Sequence, residues 1–330
     1  MAIKKEDYIC LSAMLRARET KLLTNEKALR CIDAASFDEA AKILVDCGYE
    51  DMSKCNSDEI VSVLSKHLAV ILDELRRLSP DSKIVDLFLV KNDYHNVKSL
   101  IKGEAMNIDT KHLLSYAGRV EPEKLDFAFK EEKYSDLSKI LAKALVDAKD
   151  VLAKTANPQK ADFILDKAYF SELKNLAAEI NNSFIDEYIT FLIDTANLKS
   201  LIRCLKMGKN NDFISEVLIS GGTVSTNRLL EATDGEAVFN LFEHTPLGEA
   251  AELGKDVLLG GQMTKFELAC DNAVNAYLRK TRLVTYGPEA IVSYIAAAET
   301  EITAVRMILT CRLAKVKPEI IKERLRDMYA

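Results

Sequence analysis

The stretch D-Y-H-N-V-K-S-L-I-K at residues 93–102 returns at residues 194–203 as D-T-A-N-L-K-S-L-I-R. Six of the ten positions are identical, and Val97/Leu198 and Lys102/Arg203 exchange like for like. Neither copy holds a glycine or proline, and neither alternates apolar and polar residues with the period of two that marks a strand. Both therefore read as helix. A helix that comes back 101 residues later marks a chain assembled from repeated units.

Further marks lie on either side. L-L-S-Y-A-G-R-V (113–120) follows the first copy and V-L-I-S-G-G-T-V (217–224) the second, which sets Gly118 over Gly222 at a place suited to a left-handed turn. Upstream, Asp166 stands 28 residues before Asp194 and Asp271 stands 28 before Glu299, whereas Asp73 stands only 20 before Asp93. The shortfall corresponds to about two helical turns. The third copy runs out of chain at Ala330, and A-L-R-C-I-D-A-A-S-F-D-E-A-A-K-I-L (28–44) resembles the helix that follows the glycine turn elsewhere. The expectation is three quasi-repeated helical units: residues 60–160, residues 161–265, and residues 266–330 completed by 1–59. A ring or funnel closes such an arrangement, and a solenoid leaves it open.

The rest of the chain agrees with an all-α fold. Helices are expected over 8–23, from Ser36 to a stop at Gly48, from Ser57 on, over 84–101 and from Pro122. More follow over 134–154, ending near Asn157-Pro158, then over 162–180, 184–207, 264–283 and 289–314, with a last one after Pro318. Serine and asparagine mark starts and glycine marks stops. Ile60, Val61, Leu64, Leu68, Ile71, Leu72 and Leu75 form an apolar stripe on the helix that Ser57 opens. At 330 residues the chain exceeds one usual core, and six prolines leave long helices little resistance.

Composition narrows the function. A net charge of −6 argues against nucleic acid as a partner. Seven scattered cysteines without a C-x-x-C fit reduced thiols. The start M-A-I-K-K-E-D-Y has no apolar segment of a secretory signal, and the uncharged run 290–298 is too short for a membrane span. Phosphate-binding, dinucleotide-binding and metalloprotease motifs and a nucleophile elbow are missing, so no catalytic, cofactor or metal site is expected. Asp93 and His95 do not make an acid–base pair, because residues two apart on a helix face different ways and the second copy has Ala196 in place of the histidine.

One polar constellation remains. On a helical wheel Asp86 shares a face with Asp93, and Glu187 shares the matching face with Asp194. Glu299, Thr303, Arg306 and Thr310 fall within a stripe of about 60°. Asp93, Asp194 and Glu299 are read as repeat-equivalent carboxylates. Together with Arg306 they either mark the outer face of their helices or line a polar cavity that receives a protein partner.

Across nearly its whole length the chain resembles a known family. The carrying segments are Y-I-C-L-S-A-M-L-R-A-R-E-T-K-L-L (8–23), F-L-V-K-N-D-Y-H-N-V-K-S-L-I-K (88–102), L-D-K-A-Y-F (165–170), D-T-A-N-L-K-S-L-I-R (194–203), Y-I-A-A-A-E-T-E-I-T-A-V-R-M-I-L (294–309) and I-K-E-R-L-R-D-M-Y (321–329). They are similar to the C subunit of prokaryotic V-type (A-type) rotary ATPases, whose eukaryotic vacuolar counterpart is the d subunit. The resemblance implies an all-helical, three-lobed funnel without catalytic residues, seated peripherally on the cytoplasmic face of the membrane proteolipid ring. It further implies that the funnel receives the D and F shaft subunits and transmits torque for proton or sodium transport, with no cofactor. The competing expectation is an all-helical repeat scaffold for other cytosolic proteins.

Overall fold

Sixteen α-helices and three short 3-10 turns build the computed structural model, which describes residues 3–329 and contains no strand among them. The chain begins with α1 (Ile9–Glu19), α2 (Asn25–Asp33), α3 (Phe37–Val45), α4 (Ser57–Leu78) and α5 (Lys83–Met106). It continues through α6 (Pro122–Glu131), α7 (Lys139–Thr155), α8 (Pro158–Ile180), α9 (Ser183–Lys206), α10 (Asn211–Val217) and α11 (Thr226–Glu231). Then come α12 (Gly235–Phe242), α13 (Gly248–Leu258), α14 (Met263–Arg279), α15 (Pro288–Leu313) and α16 (Pro318–Lys322). Among the described residues no helix is long and apolar enough to cross a membrane.

Side-chain caps set most boundaries. Thr24, Ser36, Asn56, Asn182 and Asn210 each accept the amide of a residue in the first turn of the helix they open. Two expected ends move for the same reason. Ser138 Oγ accepts Leu141 N at 3.1 Å, so α7 starts there and not at 134. Asn157-Pro158 does close α7, but Asn157 also caps α8 and Pro158 takes its first position, four residues before the expected start. The helix expected over 8–23 stops at Glu19, because Leu23 is drawn into a separate contact described below.

The chain divides into two compact units. One comprises the described residues up to Val85 with those from Glu267 on. Its centre is α15, against which α1, α2, α3 and α4 pack. Every residue from Ala290 to Ala298 is buried, so this uncharged run is a helix enclosed on all sides. The core around it mixes both chain ends: Leu23, Ile32, Leu44, Met52 and Ile60 lie with Val305, Ile308, Leu309, Ile321 and Met328. Arg18 joins α1 to α4 through a two-pronged pair with Glu74 at 2.7 and 2.8 Å.

The other unit is Asp86–Phe266. Here α8 packs between α7 and α9, and α13 packs on the far part of α9. The repeated segments form the later turns of α5 and α9. Val97, Ile101, Leu198, Leu201 and Ile202 are at most 1% exposed, and Leu100 is 6% exposed. Both helices also bury polar side chains on the same surface: Asp93 and Asn96 on one, Asp194 and Asn197 on the other. An apolar helix face seldom carries two such buried polar residues unless each has a partner.

Candidate functional site

Those four residues hold two loops. On α5, Asn96 makes a reciprocal pair with the backbone of Ser115, donating Nδ2 to its carbonyl at 2.9 Å and accepting its amide at 2.7 Å. On α9, Asn197 does the same to Ile219, with both distances 2.8 Å. Three residues earlier on each helix the carboxylate takes the loop's far end. Asp93 Oδ1 accepts Arg119 N at 2.9 Å and Val120 N at 3.1 Å. Asp194 accepts Thr223 N at 3.0 Å and Val224 N at 3.3 Å. The D-x-x-N spacing puts both side chains on one helix face, about one turn apart. The repeated motif is therefore a two-point clamp on the loop that follows it.

The glycines serve the clamp differently from the sequence expectation. Gly118 and Gly222 do not have left-handed backbones; the positive φ, +102°, belongs to Gly221. What they supply is space, since a Cβ on either would collide with Oδ1 of the clamping aspartate. The carboxylate sits where a side chain would be.

A third clamp lies in the other unit. Glu301 on α15 accepts Leu23 N at 2.7 Å with one oxygen and the Tyr49 hydroxyl at 2.7 Å with the other. Leu23 directly precedes Thr24, which caps α2; Val120 precedes the N-cap of α6, and Val224 that of α11. In all three places a buried carboxylate from a long central helix holds the amide just before the next helix begins. Glu301 shares this one feature with Asp93 and Asp194 and lies two residues beyond the Glu299 that spacing selects. The first two contacts span 27 and 30 residues, and the third spans 278 across the chain ends.

Exposure sorts the expected site residues. Asp93 is 0% and Asp194 is 5% exposed, so neither marks an outer helix face, and neither side chain is open to a partner here. Glu299 is half-buried and Arg306 is exposed on the same stripe of α15. His95 is exposed and lies 3.2 Å from the Leu113 carbonyl through Nε2, which makes it a loop contact.

The electrostatics of the clamps differ. Burial pushes the Asp93 carboxyl above its ordinary range, against the pull of Arg119 and of the two loop amides. The Arg119 guanidinium lies across it, with Nε 2.9 Å from Oδ2 and Nη2 2.6 Å from Glu172 Oε1 on α8. Tyr94 completes the network by donating to Glu172 Oε2 at 2.8 Å. Burial also opposes the charge on Arg119, but Glu172 and Asp93 outweigh it and hold that pKa high. Glu301 instead bonds to a backbone amide and a phenol; burial raises its pKa while Leu23 N and Tyr49 pull it down.

Asn96, Asn197, Arg119, Glu172 and Glu301 are clamp residues that the sequence expectation passes over. The two asparagines were recoverable, because they are the only polar, uncharged position besides the serine that both copies retain. For Arg119 and Glu172 the repeat offers no signal, since the second copy has Thr223 where the first has Arg119.

Residues 11–324 match the family model of the ATP synthase (C/AC39) subunit. The chain belongs to that family. Relatives of the C/AC39 type include the C subunit of the V-type sodium ATPase of Enterococcus hirae, 23% identical over 98% of this chain and 99% of that protein. The C subunits of the A-type ATP synthases of Pyrococcus horikoshii and Methanocaldococcus jannaschii are 23% and 25% identical over 98% of this chain, and over 92% and 88% of their own lengths. As a member of the C/AC39 family, the protein is a structural, non-catalytic component of a rotary ATPase.

Proposed function

We propose that this protein is the central-stalk socket of a V/A-type rotary ATPase. It couples the D and F shaft subunits to the membrane proteolipid ring, on whose cytoplasmic face it sits, during ATP-linked proton or sodium transport. The observation that carries this reading is the family match over residues 11–324, together with end-to-end coverage of relatives named as the C subunit of such enzymes. The three-lobed arrangement with boundaries near 60, 160 and 265 is part of the proposal.

The clamps support a torque-bearing role on physical grounds. A coupler must pass strain along without absorbing it, which close-packed helices do. Its weak points are interhelix loops, which open most easily. Tying a loop at both ends to a buried helix face removes that compliance, and hydrogen bonds to charged groups are the stronger kind. We assign direct partner contact to Glu299 and Arg306, on the open part of the α15 stripe. Asp93 and Asp194 act on partner binding from within, as positioning residues that hold loops 113–120 and 217–224.

Two measurements test this. The tagged chain should co-purify from membranes with the proteolipid ring and with D and F; retention of neither would sink the socket reading. Separately, a Glu299→Lys, Arg306→Glu double variant with unchanged thermal stability should bind a D–F complex at least about tenfold more weakly, the loss expected for one or two rim charge pairs. Wild-type affinity in that variant would remove the two residues from the contact while leaving the socket itself standing.

A further inference from the structure

The second clamped loop forms one wall of a cavity of about 420 Å³, with α8 as the opposite wall. That volume falls in the range of small-molecule sites. Three observations give it a chemistry. First, Lys167 lines it and has no carboxylate within ion-pair distance among the described residues: its Nζ donates to the Ser215 carbonyl at 3.1 Å and makes no other bond there. Two of its three protons are left for a ligand. The nearby acid, Glu216, pairs with Lys160. Second, the amides of Ser220 and Gly221, both lining the cavity, and that of the adjoining Gly222 bond to nothing among the described residues, although Ile219 before them and Thr223 after them are both tied to α9. Third, Ser171 and Ser220 line the same space, each with a hydroxyl, while that of a third lining serine, Ser215, is taken up by the Asp212 carbonyl at 2.7 Å.

Successive free amides around a left-handed residue make an anion-binding concavity. Gly221, at φ +102°, is that residue. The stem of Lys174 packs beneath it, and the Lys174 ammonium is held by Asp186 and Thr190 at 2.9 and 2.8 Å. Lys174 is thus a wall, and Lys167 is the unbalanced charge. The first loop lacks this arrangement: there the amide of Ala117, the counterpart of Gly221, is taken by Ser115 Oγ at 3.2 Å.

We infer that this cavity is a binding site for a phosphate group, either of free phosphate or of a small phosphate ester such as a nucleotide. A lysine without an ion-pair contact, free loop amides and the hydroxyls of Ser171 and Ser220 supply donors in the combination that tetrahedral oxyanions take. Because the loop is clamped on both sides, the site is preformed and ligand binding need not order it. The inference stands on the cavity alone and does not depend on the assembly proposed above.

The full chain titrated separately with inorganic phosphate and with ATP, followed by NMR shifts of the 218–224 amides, tests it. Saturable shifts are expected, weakened about tenfold by Lys167→Gln, the value of one charge-assisted contact. Ser220→Asp should abolish them by placing a negative charge in the site, and Lys143→Gln on the outside of α7 should leave them unchanged. Binding of phosphate alone identifies a free-anion site, and binding only of ATP identifies an ester site. The inference fails if neither anion shifts these amides, or if the shifts survive both Lys167→Gln and Ser220→Asp in variants that retain the wild-type melting temperature.

Discussion

Loops 113–120 and 217–224 follow matching helices, are held by matching Asp and Asn side chains and make room with matching glycines. At the carboxylate end of the clamp they diverge where the first has Arg119 and the second Thr223, and at the asparagine end where the first has Ser115 and the second Ile219. In the first loop the arginine folds back onto the carboxylate and reaches Glu172, so two buried acids share one half-buried base. In the second, Thr223 faces solvent and its aspartate is balanced by backbone amides. One geometry is thus reached by two electrostatic routes. The cationic route fills its loop with side chain, and the amide route leaves a cavity beside it.

The largest difference should come from that divergent position. Arg119→Met strands Asp93 and Glu172 without a counter-charge and should cost about 3–5 kcal/mol in urea unfolding. Thr223→Val, at the matching place, should change stability by less than about 0.5 kcal/mol. Similar costs for the two variants would end the distinction between the routes.

Next in size are the glycines, where the loops should behave alike. Gly118→Ala and Gly222→Ala each drive a methyl group into a clamping oxygen and should destabilise by about 1–3 kcal/mol, with loss of hydrogen-exchange protection at Val120 or Val224. A neutral outcome at either would mean that its loop is not held as described.

Asp194→Asn keeps the shape and one acceptor but turns an amine toward a loop amide. A loss of about 1–2 kcal/mol is expected, with slower-exchanging amides surviving at Ile219, which Asn197 still holds. Equal deprotection of Ile219 and Val224 would show that the two clamp points are not separable.

The smallest effect concerns pH at the third clamp. Burial raises the folded-state pKa of Glu301 above its ordinary value, so between the two values the folded chain binds the extra proton. Stability from this group is therefore greatest below the ordinary glutamate value of 4.5 and falls as pH rises through the folded one. Glu301→Gln should flatten that slope while leaving α15 in place; an unchanged stability–pH curve in the mild acid range would remove Glu301 as its source.

Much of the architecture was legible from residues alone. Capping residues, glycine stops and the absence of period-two segments established an all-helical chain, because these signals act within a few residues of themselves. The helix starts that moved did so where a local capping signal lay away from the expected start, as at Asn157-Pro158, which both ends one helix and begins the next. The candidate site was half legible. The repeat singled out Asp93 and Asp194 correctly as a matched pair, but a helical wheel gives only the angle between residues on one helix. Which way that stripe faces depends on what packs against it, and here Asp93 and Asp194 turn inward.

Residue order was enough to establish that this protein is helical, internally repeated and a member of the C/AC39 family, because each conclusion rests on local propensity or on residue identity along the chain. Packing settled what D-x-x-N does, why Gly118 and Gly222 must lack a side chain, and that Glu301 also holds an amide just before a helix. Each of those depends on groups 19 to 278 residues apart meeting at hydrogen-bond distance. No spacing within a single helix encodes such a meeting; it is set by how the helices come together.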